Sequence, residues 1–207
     1  MNIYSDDLTD GAAINPELAF GKKQAGEHMV LSDNRNPHMS WDGAPGGTRS
    51  FVLTCVDPDV PHVADDVNQE GKVLPVSMPR VDFFHWVMVD IPASVNEIAS
   101  GSCSDGVVSG GKPAPPGPAG SRQGLNDYTA FMAGSEMAGD YFGYDGPCPP
   151  WNDERLHHYT FTVYALDVEN LGFADRFDGR EAAAALDGHV LAQAGLTGTY
   201  SLYPGKG

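Results

Sequence analysis

Three ionisable residues stand where strongly β-patterned runs meet proline. Asp57 follows the run Phe51-Val-Leu-Thr-Cys-Val56 and precedes Pro58. His85 lies inside Phe83-Phe-His-Trp-Val-Met-Val-Asp-Ile-Pro92. His157 opens His157-His-Tyr-Thr-Phe-Thr-Val-Tyr-Ala-Leu166, just after the rigid turn Gly143-Tyr-Asp-Gly-Pro-Cys-Pro-Pro150. A protonated imidazole offers two N–H donors to an anion. A carboxylate in direct contact would repel that anion, so the sensible role for Asp57 is to hold an imidazole ring and raise its pKa. Backbone N–H groups around Gly143 to Gly146 add uncharged donors, because glycine permits close approach. Prolines keep such turns from reorganising, which lowers the entropic cost of binding. Tyr144 is a pocket wall or plain turn packing, and Trp86, of opposite parity to His85, reads as core.

Other chemistries fit less well. An apolar strand ending in Asp57-Pro-Asp-Val60 resembles the nucleophile motif of aspartate-dependent phosphohydrolases. Those enzymes need a helix soon afterwards, which Pro61 and the following loop deny, and the acidic pair Asp65-Asp66 is too close. No Gly-x-Ser-x-Gly elbow is present. Weak hydrolysis of a bound ester by the His85 and His157 pair stays open, as does inhibition of a protease or kinase through the loop 101–124. No catalytic residue, cofactor or metal is assigned.

The elements that must position these residues are mostly strands. Phe51–Val56, Phe83–Ile91 and His158–Val168 carry apolar residues on both faces, the pattern of strands covered on both sides. Pro58 and Pro61 are expected to end the first. His62 to Arg80 reads as a long polar loop, and Gly101 to Gly124, with Lys112-Pro-Ala-Pro-Pro-Gly-Pro118 at its centre, as a surface loop. Ser94–Ile98 suggests one helical turn. Asp178 and Glu181 form a capping-box pattern for a helix from Arg180 to Ala194 that contains Gly188 and stops at Gly195. Thr199–Tyr203 reads as a last strand. The sum is a mostly β fold, two packed sheets with few helices, in one domain over 1–207.

Composition bounds the partners. The formal net charge is −16, from 12 Lys and Arg against 28 Asp and Glu. That argues against nucleic acid and against broad docking on anionic lipid. No apolar run is long enough for a transmembrane segment. The acidic N-terminus lacks the apolar stretch of a signal peptide. Cys55, Cys103 and Cys148 match no disulfide framework and no zinc spacing. Reduced thiols and no leader lead to a cytoplasmic expectation, with Cys148 partly exposed.

Asp57-Pro-Asp-Val-Pro61, Phe84-His-Trp-Val-Met-Val-Asp-Ile-Pro92, the turn 143–150 and His157 to Leu166 together resemble the phosphatidylethanolamine-binding protein family, in its bacterial Raf-kinase-inhibitor-like branch. Asn36-Pro-His-Met-Ser-Trp41 and Gly124-Leu-Asn-Asp-Tyr128 are weaker echoes. The resemblance covers roughly residues 30 to 203. It implies a large antiparallel β-sandwich with few helices and a small edge pocket for phosphate or phosphorylated head groups. Carried over residue by residue, the pocket takes Asp57, Pro61, His85, Gly146, Pro149, His157 and Tyr159. The position after His157 is often Arg in the family and is His158 here. The resemblance also implies a soluble binding protein that regulates a partner protein, and a homodimer. On the histidine chemistry, phosphate-type ligands should bind more tightly below about pH 6.5.

Overall fold

A computed structural model describes residues 1–205. In chain order the strands are Asn2–Tyr4 (β1), Gly21–Gln24 (β2), Glu27–Leu31 (β3), Met39–Asp42 (β4), Ser50–Pro61 (β5), Arg80–Pro92 (β6), Glu97–Ile98 (β7), Arg122–Gln123 (β8), His157–Leu166 (β9) and Val190–Tyr200 (β10). Two short helices, Tyr128–Phe131 (α1) and Gly179–Ala185 (α2), complete the elements used below. The main sheet has the order β10-β9-β5-β6-β8 with antiparallel neighbours. A smaller antiparallel sheet, β1-β4-β7, and the hairpin β2-β3 lie beside it.

The two-faced apolar pattern has a direct structural cause. Phe51, Leu53 and Cys55 of β5, with Trp86 and Met88 of β6, belong to one core cluster that also takes Met39 and Trp41 of β4. Trp41 meets Phe51 edge-on at 5.4 Å. Val52 of β5 and Val87 and Val89 of β6 face the other way, into a second cluster with Phe177, Ala182 and Leu186. The main sheet is thus sandwiched between the small sheet on one face and α2 with its flanks on the other. Burial of apolar surface on both sides stabilises it at roughly 25 cal/mol per Å². The architecture is a mostly β, antiparallel fold.

Three elements differ from the sequence reading. Pro58 and Pro61 do not end β5, which runs through Pro61. The β9 ladder stops at Val56, and a register shift lies between Asp57 and Val60. Residues lacking an N–H therefore sit where no central ladder needs them. Ser94–Ile98 is not a helical turn: Val95 closes a turn onto Pro92, and Glu97–Ile98 forms β7. The late helix stops at Ala185, and residues 190–200 form β10, so Gly195 lies in a strand and only Thr199 and Tyr200 of the expected last strand belong to one. Gly188, at φ +79°, makes the turn between them. Among the described residues, no helix is long and apolar enough to cross a membrane.

Candidate functional site

His85 owes its position to a defect in the ladder. Cys55 pairs with Trp86 and Val56 with Phe84, so His85 is the extra residue of a β-bulge. Bulges re-aim side chains. Trp86 enters the first core cluster and Phe84 the second, while the His85 ring turns toward Phe83, Tyr128 and Tyr159, at 4.7, 5.6 and 5.1 Å between ring centres. Its Nδ1–H donates to the carbonyl of Asp145 at 2.7 Å, and the Asp145 N–H donates back to the carbonyl of His85 at 3.0 Å. That pair of bonds fixes the neutral tautomer, leaving Nε2 as the acceptor. Among the described residues no protein group bonds Nε2. Burial pulls the His85 pKa below its ordinary value of 6.5, and the carboxylates of Asp57, Asp127 and Asp145 only partly oppose this.

Asp145 is itself locked in place. Its buried carboxylate accepts from the side chains of Asn34 and Asn126, each at 2.7 Å, and from Lys112 at 3.0 Å. Lys112 comes from the Pro-rich centre of the loop 101–124 and also donates to the carbonyl of Tyr144. That loop does more than cover surface: its lysine anchors the turn that orients His85.

His157 stands between two carboxylates. Its Nδ1 donates to Asp57 at 2.7 Å and its Nε2 to Asp153 at 3.1 Å, with all three side chains almost completely buried. Burial alone would lower the pKa of His157. The hydrogen bonds and charges of Asp153 and Asp57 outweigh it and raise the value to about 9. Arg80 grips Asp153 with both terminal nitrogens, one at 3.0 Å. Beside them Asp59 binds Arg155 at 2.5 Å and His158 at 2.7 Å. Burial would raise the pKa of Asp59, but His158 and Arg155 hold it below the usual range. His158 is thus a half-exposed partner of Asp59, and Arg155 places a permanent charge next to it.

Asp57, Pro61, His85, Pro149 and His157 line one cavity of about 180 Å³. Gly146 and Tyr159 stand behind its wall. The Gly146 N–H bonds Asn34 at 2.8 Å, and a Cβ there would lie 2.0 Å from the carbonyl of Leu18. The Tyr159 hydroxyl is buried with no hydrogen-bond partner, and its ring supports His85. Tyr144 is core, its hydroxyl bonded to the carbonyl of Leu18. Cys148 is half-buried on the cavity wall, and burial raises its thiol pKa to about 12.

The structure alters the expected donor set in two respects. Both nitrogens of His157 are engaged by carboxylates, so that ring has no N–H left for an anion. The backbone N–H groups of Gly143, Asp145 and Gly146 are likewise taken by Gly124, His85 and Asn34. Sequence reasoning also missed the apolar collar of Phe20, Phe83, Tyr128 and Phe131, and the acid Asp153. The one available signal for Asp153 was its position four residues before His157. Four larger surface grooves, of about 330, 340, 440 and 270 Å³, contain no histidine.

A family model described as phosphatidylethanolamine-binding protein matches residues 4–201. The UPF0098 protein YbhB of Escherichia coli is 31% identical over 202 residues, covering 97% of this chain and 100% of that protein. A UPF0098 protein of Methanothermobacter thermautotrophicus is 34% identical, covering 81% of this chain and 83% of its own. The crystal structure of Escherichia coli YbcL, described as a new member of the mammalian PEBP family, superposes with a TM-score of 0.71 at 26% identity over 97% of both chains. A Chlamydia trachomatis homologue, CT736, shares the fold at a TM-score of 0.64 and 24% identity, over 97% of this chain and 96% of its own. By its sequence over nearly its whole length, and by its fold, this chain belongs to the phosphatidylethanolamine-binding protein family.

Proposed function

We propose that the chain, acting as one domain, is a binding protein that holds a small phosphate-bearing ligand against His85. The observation that carries this reading is the state of the His85 ring. It is fixed through Nδ1, it presents an unbonded Nε2, and it stands on the wall of a small cavity collared by aromatic rings. A polar atom held in a fixed orientation on a cavity wall without a protein partner is available to a ligand. Tyr159, behind the wall, supports the His85 ring from the side away from the ligand, its ring centre 5.1 Å from that of His85. A binding role also fits better than hydrolysis by a histidine pair. His157 is charged and bonded at both nitrogens, so it cannot accept a proton from water.

The chemistry dictates how binding depends on pH. A neutral His85 shows a lone pair at Nε2, which repels an anionic oxygen. Binding a phosphate oxygen there requires Nε2–H, so the complex takes up a proton. Burial lowers the pKa of this ring, so the window lies below pH 6.5, lower than an unperturbed histidine pair would give. His157 stays protonated until about pH 9 and does not set the window.

Calorimetric titration with phosphoethanolamine across pH 5 to 8 tests this. Affinity should rise as pH falls, by up to about tenfold per unit while one proton is taken up. Titrations in buffers of different ionisation heat should count that proton. His85→Ala should abolish binding with the fold intact. Binding that strengthens with rising pH, or that survives His85→Ala, overturns the proposal.

A further inference from the structure

The segment joining β5 to β6 is much longer than the two to five residues of an ordinary hairpin connection. Ala64, Val67 and Asn68 of this segment line the His85 cavity from above. Its attachments are mostly polar: Leu74 exchanges backbone hydrogen bonds with Asn152 at 2.9 Å and Glu154 at 3.1 Å, and Arg80 reaches the carbonyl of Pro75 at 3.0 Å. Asn68, at φ 56°, donates its N–H to Asn152 Oδ1 at 2.9 Å and accepts the Trp151 N–H at 3.0 Å. Asn152 Nδ2 reaches back to the carbonyl of Asp66 at 2.9 Å. Leu74 is the segment's one fully buried apolar side chain, while Val63, Val73 and Val76 face outward. At the outer rim His28 of β3 stacks on Trp151 at 3.7 Å between ring centres and meets Glu70 at 2.6 Å. The His28 side chain is 50% exposed and that of Glu70 82%. An exposed pair of this kind is worth little. With Leu74 as its only fully buried apolar side chain, the segment outside the Leu74 anchor lies toward the low-stability end of the fold, where lids are drawn from.

We propose that residues 62–79 are a roof that sets the size of ligand reaching His85, and that the His28–Glu70–Trp151 clasp holds it down. This rests on the reading of the cavity as a phosphate-ligand site and adds what that site rejects. With the roof down the cavity is smaller than the 300 Å³ or more typical of drug-sized ligand sites. It admits a head group and leaves no path for acyl chains. The ligand class is therefore a small phosphate monoester, not an intact lipid, and lifting the roof relaxes that choice.

The test uses the full chain, the double variant His28→Ala/Glu70→Ala, and Leu74→Ala as a stronger second variant. None of the three positions lines the cavity. Trp41 and Trp86 are buried, so acrylamide quenching of tryptophan fluorescence reports mainly on Trp151. Quenching, and amide exchange across 62–79, should increase in the double variant and increase further in Leu74→Ala. Phosphoethanolamine and water-soluble dihexanoyl-phosphatidylethanolamine are the two binding probes. The wild-type chain should bind the first much more tightly than the second. The double variant should gain affinity for the lipid by up to roughly fivefold, which corresponds to an exposed pair worth about 1 kcal/mol. Equal quenching and exchange in all three proteins overturns the roof, as does lipid binding by the wild-type chain that matches phosphoethanolamine. Failure of phosphoethanolamine to bind the wild-type chain instead overturns the cavity reading and its size rule, while quenching and exchange still decide whether the clasp holds the segment.

Discussion

Both nitrogens of His157 face carboxylates, so removing one ring proton breaks one hydrogen bond outright and takes the positive charge from the other. The group's pKa is about 9 in the fold against about 6.5 in an unfolded chain. A raised folded value stabilises fully below pH 6.5 and loses that contribution as pH climbs through 9. The difference is on the order of 3 kcal/mol. Urea denaturation from pH 6 to pH 10 should show stability falling across that window. His157→Ala should lower stability at pH 6 by about 3–5 kcal/mol, because Asp57 and Asp153 are then left buried and uncompensated, and should remove most of the slope. A flat wild-type profile would show that the ring is not held as an imidazolium. His85 acts in the opposite sense: its lowered folded value makes the unfolded chain bind more protons below pH 6.5, so it erodes stability as pH falls. At this scale the sequence disclosed only half of the arrangement. The pairing of Asp57 with a histidine followed from the cost of a bare carboxylate beside an anion. Asp153 offered only its spacing of four residues from His157, and Arg80, the first residue of β6, carried no pattern until the fold brought it to Asp153.

At the scale of elements, the strands were legible where they are covered on both faces. β5 and β6 bury alternate residues in different clusters, so the sequence shows continuous apolar runs, whereas β9 buries Tyr159, Phe161, Val163 and Ala165 on one face and leaves Thr160 and Thr162 of the other half-buried. The β10 segment misled for a physical reason. Val190-Leu-Ala-Gln-Ala-Gly195 is rich in helix formers, yet its pairing with β9 runs from Val190 to Tyr200 and overrides local propensity. The bulge that aims His85 was equally hidden, since register is a property of two strands. The start of α2 was readable because its capping box is local. Asp178 accepts from the N–H groups of Arg180 and Glu181, and Glu181 returns a bond to the Asp178 N–H. Asp178→Ala should therefore cost about 1 kcal/mol in thermal or urea unfolding. Gly179→Ala should cost more, about 1–3 kcal/mol, since its Cβ would lie 2.2 Å from the Phe84 ring. If Gly179→Ala proves as stable as the wild-type chain, α2 does not pack on β6 as closely as described.

Over the whole molecule, the proposed phosphate site sits in a chain of formal net charge −16. Its nearest cations are already matched: His157 by Asp57 and Asp153, Arg80 by Asp153, Arg155 by Asp59, and Lys112 by Asp145. No uncompensated positive field draws an anion toward His85, and the distant carboxylates repel it. Salt should therefore act in the reverse of its usual direction. The Debye length shrinks from about 30 Å at 0.01 M to about 8 Å at 0.15 M ionic strength, which screens distant carboxylates far more than a contact at Nε2. At pH 5.5 the association rate and affinity for inorganic phosphate should rise severalfold over that range. The salt should be one whose anion is too large for the cavity, so that it does not compete. Stopped-flow or calorimetric titration at fixed pH measures the effect. Phosphate binding that weakens with salt would mean that a local cationic field dominates at the mouth of the cavity. The acidity of the chain could then no longer be read as a barrier that only a protonated, prepositioned His85 overcomes.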